Sequence, residues 1–123
     1  MRILFDTNIL IDYLNGIEKS RVFFRSLGED HKPAISIITW MEVMIGTNDA
    51  TREDTELFLS TFEVIHLNAY IAAKAVELRQ SEKIKLPDAI IWASAQISEM
   101  QLVTRNTKDF PNNNSSVLLP YTI

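Results

Sequence analysis

Short aliphatic runs alternate along this chain with longer segments whose apolar positions recur at the three-to-four-residue spacing of a helix face. The first run, Ile3-Leu4-Phe5, stops at Asp6 and reads as a buried strand. In residues 7–14, Ile9, Leu10, Tyr13 and Leu14 have helical spacing, and Asn15-Gly16 supplies a stop. A second helix is expected over 18–27, burying Val22, Phe23, Phe24 and Leu27, turning Lys19, Arg21 and Arg25 to water and ending at Gly28. Residues 33–37 read as the second strand, with Pro33 at its start, where a missing N–H does no harm. Thr39 and Glu42 then match a capping box, so a helix is expected to open there. A helix over 51–61 with Leu57, Phe58 and Phe62 apolar, a strand over 62–67 and a helix over 69–82 come next. The stripe of that last helix (Ile71, Ala75 and Leu78, with Ala72 and Val76 beside them) belongs to a core. Leu86-Pro87-Asp88 marks a helix start, and residues 89–97 are apolar nearly all round, as in a buried helix. Strands over 102–104 and 116–119 close the chain, joined by the loop Arg105-Asn106-Thr107-Lys108-Asp109-Phe110-Pro111.

Strands alternating with helical segments imply a parallel sheet covered on both faces, an α/β domain of three layers with about five strands. The 123 residues suit one domain, 1–123, large enough for a proper core. Cys is absent, which excludes disulfides and thiolate metal sites, and a reducing cytoplasm suits such a chain. Arg2 is followed by only three apolar residues before Asp6, so no signal peptide is expected, and no membrane span is either. The net charge of −4 argues against a protein that holds nucleic acid through a broad basic surface. It leaves room for an enzyme whose acids are gathered in a pocket.

Asp6 and Glu42 both follow apolar strands, so in a parallel sheet they project from the same edge, where α/β folds bind ligands. Each also has a structural explanation. Asp6 stands where an N-cap is expected, and Glu42 where a capping box would use it. Asp109 lies a few residues past another strand and can reach the same edge, whereas pattern alone does not place Asp88. Several carboxylates without Cys or paired His describe a hard oxygen site, suited to Mg²⁺ or Mn²⁺ rather than Zn²⁺ or copper.

The stretches ILFDTNILIDYL (3–14), ISIITWMEVMIG (35–46), LPDAIIWASA (86–95), LVTRNTKDF (102–110) and VLLPY (117–121) together span most of the chain. In this order and spacing the sequence resembles the PIN-domain ribonucleases, in particular the VapC-type toxins of prokaryotic toxin-antitoxin pairs. The resemblance implies a sheet of order 3-2-1-4-5 with Asp6, Glu42 and Asp88 around Mg²⁺ at one edge. The position after Thr104-Arg105, acidic in many relatives, is Asn106 here, so Asp109 is the candidate for the fourth acid. Asn106 can still hold a metal-bound water through its amide oxygen, without adding negative charge.

The expected chemistry is endoribonuclease action by a metal-activated water, leaving 5′-phosphate and 3′-hydroxyl ends, with Asp6, Glu42, Asp88 and Asp109 as candidate catalytic acids. Thr7, Asn8, Thr104, Arg105 and Asn106 are candidates for orienting water or substrate phosphate, with Lys108 nearby. Local turn bonding and solvation explain the same side chains. His31 and His66 fall outside every motif, and Trp40 and Trp92 suit a core or a subunit interface. The resemblance further implies a homodimer held by a small VapB-type antitoxin. Two rivals remain. A receiver-like phosphoacceptor would need paired acids after the first strand and an Asp after the third, where this chain has His66-Leu67-Asn68. A PIN fold that binds RNA or protein without cutting finds support only in Asn106.

Overall fold

The structure, a computed structural model, describes residues 2–28, 32–110 and 116–123. His31, and Pro111 at the end of the last loop, lie outside the described residues. The chain runs β1 (Ile3–Phe5), α1 (Thr7–Leu14), α2 (Glu18–Ser26), β2 (Ala34–Ser36), α3 (Ile37–Ile45), α4 (Arg52–Leu59), β3 (Glu63–Ile65), α5 (Ala69–Glu82), α6 (Leu86–Ile97), β4 (Gln101–Val103) and β5 (Val117–Leu118). All five strands pair in parallel in the order β3-β2-β1-β4-β5. This is the α/β sheet expected from the pattern, in the order the resemblance implies. Because β2 and β4 flank β1 on opposite sides, the crevice beyond the carboxyl end of β1 is the topological switch point, and Asp6 stands in it.

A central parallel strand is buried on both faces, which is why β1 is apolar without alternation. Leu4 joins a core cluster with Ile71, Ala75 and Trp92, while Ile3 and Phe5 join the opposite one with Ile9, Leu10 and Val43. The second cluster is rich in aromatic rings. Phe5 lies 5.0 Å from Phe24 between centroids, and Tyr13 stacks on Phe58 at 4.9 Å. At roughly 1.5–3 kcal/mol for each large apolar side chain fully buried, these clusters dominate the favourable side of folding.

α1 and α5 span 7–14 and 69–82 as the periodicity predicts. Other boundaries differ, each for a local reason. α3 opens at Ile37 rather than Thr39, because the Ser36 hydroxyl accepts the Ile38 N–H at 3.0 Å and caps the helix. Ile37 and Ile38, which look like the end of a strand, are its first turn. The capping box of Thr39 and Glu42 is therefore absent, and Glu42 lies inside the helix. Ser36→Ala should cost about 1 kcal/mol in a urea unfolding experiment, as loss of a side-chain cap does.

Val22 is 50% exposed and Leu57 63% exposed, whereas their neighbours Phe23, Phe24 and Phe58 pack into the core. Adjacent helical positions do not share a face, and in each case the aromatic ring takes the buried one. Val76, placed beside the α5 stripe, is likewise 53% exposed. α6 begins at Leu86, with Asp88 in its first turn as expected. Its Ala89, Ile91, Trp92, Ala93 and Ala95 are buried.

Candidate active site

Asp6 caps α1 and anchors the site at once. Its Oδ1 accepts the Thr7 N–H at 2.7 Å, the N-cap bond, while its Oδ2 accepts the Thr104 hydroxyl at 2.7 Å and the Asn8 amide at 3.1 Å. Thr104 directly follows β4, so neighbouring strands deliver the acid and its donor to one point. None of these donors is cationic. The carboxyl is 4% exposed, and burial pushes its pKa from 3.8 to about 6. The hydrogen bonds from Thr104 and Thr7 oppose that rise, and the charges of Asp88 and Glu42 add to it.

Glu42 reaches the site from an exposed position on α3. The Thr7 hydroxyl donates to its Oε1 at 2.7 Å and lies 2.9 Å from the Thr39 hydroxyl. Since the proton on Thr7 is given to the carboxylate, Thr39, fully buried, donates to Thr7. Asp88, in the first turn of α6, is raised first by burial and then by the charges of Asp109 and Glu42, with Lys85 opposing. Asp6 thus feels the charges of Asp88 and Glu42, and Asp88 those of Asp109 and Glu42. Asp109 is held by Asn106, whose amide nitrogen donates to Asp109 Oδ2 at 3.0 Å and whose amide oxygen accepts the Asp109 N–H at 3.3 Å.

The remaining expected residues are placed differently from one another. The Asn8 amide oxygen accepts the Arg105 N–H at 3.2 Å. The Arg105 guanidinium is turned onto Asp12, with Nε at 2.7 Å and Nη2 at 2.9 Å. Lys108 is exposed, Trp92 is core and Trp40 packs against the second cluster. Sequence reasoning missed Asp12 and the part of Tyr121, whose hydroxyl donates to Asp12 Oδ2 at 2.9 Å. The available signal was the spacing of Asn8 and Asp12, four apart and hence on one face of α1. A groove of about 490 Å³ has Glu42 in its wall, together with Ile11, Leu14, Val43, Thr47 and Thr55.

Among the described residues no three acidic or histidine side chains close in tightly enough to form a ready ligand cage. The donor set nevertheless suits a hard cation. It is all oxygen, it includes a buried carboxylate with no cationic partner among its bonded neighbours, and like charges face it. A hard divalent cation that keeps several of its waters needs only one or two protein carboxylates.

One buried carboxylate with more exposed acids around it, at the switch point of a parallel α/β sheet, makes an acid-lined site of all-oxygen donors. The family model of the PIN domain matches residues 3–114, and the chain belongs to that family. It is 32% identical over 114 residues to a protein of Mycobacterium tuberculosis named Ribonuclease VapC10, the match covering 89% of this chain and 86% of that one. Among solved structures it is similar to a chain of a toxin-antitoxin complex from Klebsiella pneumoniae, at a TM-score of 0.90 and 46% identity over 98% of this chain and 99% of the other. VapBC2 from Rickettsia felis, solved with a fragment of promoter DNA, shares the fold at a TM-score of 0.81 and 24% identity, covering 100% and 99% of the two chains.

Proposed function

We propose that the chain is a VapC-type toxin, an endoribonuclease that cleaves RNA phosphodiesters with a divalent cation, Mg²⁺ by preference and Mn²⁺ as a substitute. The observation that carries this reading is Asp6, buried, fixed by three donors and lacking a cationic partner among them, with Glu42 and Asp88 near enough for their charges to act on it and Asp109 near enough to act on Asp88. The relative named a ribonuclease and the similar chain from a toxin-antitoxin complex support it. Asp6, Asp88 and Glu42 would hold the ion, with Asp109 as the fourth acid. When bound, a divalent cation lowers the pKa of its water and offsets charge developing on the phosphoryl oxygens.

The chain's own part is positioning. Thr104 and Asn8 fix the direction of Asp6, Thr7 and Thr39 fix Glu42, and Asn106 fixes Asp109. With water as nucleophile, the products are 5′-phosphate and 3′-hydroxyl ends, and the ribose 2′-OH takes no part. The test is incubation of purified protein with RNA and Mg²⁺, with EDTA as control, followed by mapping of the new ends. A cyclic phosphate product would contradict the reading, and absence of Mg²⁺-dependent cleavage would favour a PIN fold that binds without cutting.

The same reading includes a cytoplasmic homodimer and a small VapB-type antitoxin whose Arg or Lys enters the acid pocket. A guanidinium would supply the cation that Asp6 lacks, and the apolar walls of the adjoining groove, Ile11, Leu14 and Val43, would take apolar anchors from the same tail. Copurification with the product of the adjacent reading frame is expected. Replacing the basic residues of its tail with Ala should leave binding largely intact and weaken inhibition, because charge pairing steers encounter more than it adds affinity. Recovery of a monomer at micromolar concentration with no small partner would count against the toxin reading and leave the nuclease reading standing.

A further inference from the structure

An arginine one residue past Thr104 invites a role in gripping substrate phosphate, but its guanidinium is engaged elsewhere. Arg105 makes a two-pronged contact with Asp12, through Nε at 2.7 Å and Nη2 at 2.9 Å. Asp12 is 6% exposed, and the Tyr121 hydroxyl donates to its Oδ2 at 2.9 Å. A buried carboxylate with three charge-assisted or hydroxyl donors is satisfied, and the planar fork of Arg fixes the direction of the pair as well as its distance.

This contact sits at the root of the loop that carries Asp109. The Arg105 N–H donates to Asn8 Oδ1 at 3.2 Å, and the next residue, Asn106, gives its N–H to Thr104 Oγ1 at 3.0 Å. Thr104 in turn donates to Asp6, and Asn106 holds Asp109. Asp12 lies one turn beyond Asn8 on α1, so one face of that helix pins both the backbone and the side chain of Arg105. Tyr121 adds the C-terminal segment to the same carboxylate.

We infer that Asp12, Arg105 and Tyr121 form a positioning clamp that sets the loop after β4, holding Thr104 on Asp6 and Asp109 towards Asp88, and that Arg105 acts through this loop rather than on substrate. The inference deepens the nuclease reading and rests on it for its kinetic consequence; its structural consequence stands apart from any activity. Outer-shell partners of a site typically matter 10–100-fold.

The experiment compares Asp12→Asn, Arg105→Lys, Arg105→Gln and Tyr121→Phe in the full chain by hydrogen exchange of the 104–110 amides, by kcat and KM for RNA with Mg²⁺, and by RNA affinity in EDTA. Lys keeps the charge of Arg and loses the fork. The clamp therefore predicts that Arg105→Lys falls with Arg105→Gln, each losing on the order of 10-fold or more in kcat. KM and RNA affinity should stay within about twofold, and the 104–110 amides should exchange faster. Tyr121→Phe, which keeps the ring and removes the hydroxyl that meets Asp12 and Ser20, should shift exchange in the same direction by less, and serves if the charge variants do not fold. The Asp12→Asn, Arg105→Gln double variant should be no worse than the poorer single one, as coupled members of one unit are. Weaker RNA binding in Arg105→Gln that Arg105→Lys restores, with unaltered exchange, would overturn the clamp in favour of a phosphate contact. Unchanged exchange in all four variants would overturn it outright. Should the unaltered protein cleave no RNA, the nuclease reading fails and the exchange arm still decides the clamp.

Discussion

Asp6→Asn should abolish Mg²⁺-dependent cleavage, by on the order of 10²-fold or more, and should yield a protein that is more stable than the original when metal is absent. The loss follows from removing a negative charge at the centre of the proposed ion site, where charge stabilisation of the reaction is concentrated. The gain follows from the cost of keeping that charge buried. The carboxyl titrates near 3.8 unfolded and near 6 in the fold, because burial penalises its ionised form. Well below pH 3.8 the group is protonated in both states and costs nothing. As pH rises towards 6 the unfolded chain releases its proton first, and above 6 the full penalty applies, on the order of 3 kcal/mol from a shift of about two units.

Asn is as good an N-cap as Asp, so the bond from the Thr7 N–H survives. Its amide nitrogen would meet the donor of Asn8 where Oδ2 now accepts, which offsets part of the gain. A net stabilisation of about 1–2 kcal/mol at pH 7.5 in EDTA is expected. Urea unfolding of both proteins from pH 4 to 8 should show the stability difference opening between about pH 4 and 6. A variant that cleaves RNA normally, or a difference that does not change with pH, would remove Asp6 from the role assigned to it.

How much of this was legible in the sequence depended on which residues made the decision. β1 could be read because a fully buried strand has to be a continuous apolar run, and the Asp that ends it had to face the switch-point crevice. The cap and site readings of Asp6 looked like alternatives, and the fold bears out the cap while leaving room for the other: the extended backbone that caps α1 also turns the second carboxyl oxygen to Thr104. The start of α3 was hidden, because Ser36-Ile37-Ile38 fits a strand as well as a cap followed by a helical turn, and only the bond from Ile38 distinguishes them. Asp88 could not be placed by pattern, since its position depends on how α6 packs against the sheet, a long-range property. The Asp12, Arg105 and Tyr121 contact joins three distant segments of chain, and no local period records it.

Glu42→Gln is expected to lower cleavage on the order of 10²-fold with stability unchanged within about 0.5 kcal/mol, since the side chain is exposed and caps nothing. Ser36, not Thr39, closes the helix start, so no backbone N–H of α3 depends on Glu42. Gln can still accept from the Thr7 hydroxyl, which isolates the loss of charge from the loss of contact. Thr7→Val makes the complementary change: the acid keeps its charge and loses the donor that aims it, while the buried Thr39 hydroxyl loses its acceptor. That variant should lose about 10-fold in rate, the scale of an outer-shell partner. Because Thr7 acts through Glu42, the double variant should be no slower than Glu42→Gln alone. Mg²⁺ titration separates the two effects further. Removing the charge should raise the metal concentration needed for half-maximal rate substantially, whereas removing the donor should raise it less and depress the maximal rate at saturating metal. Normal cleavage by Glu42→Gln would leave three acids to carry the site, and additive losses in the double variant would mean that Thr7 touches the reaction by a route of its own.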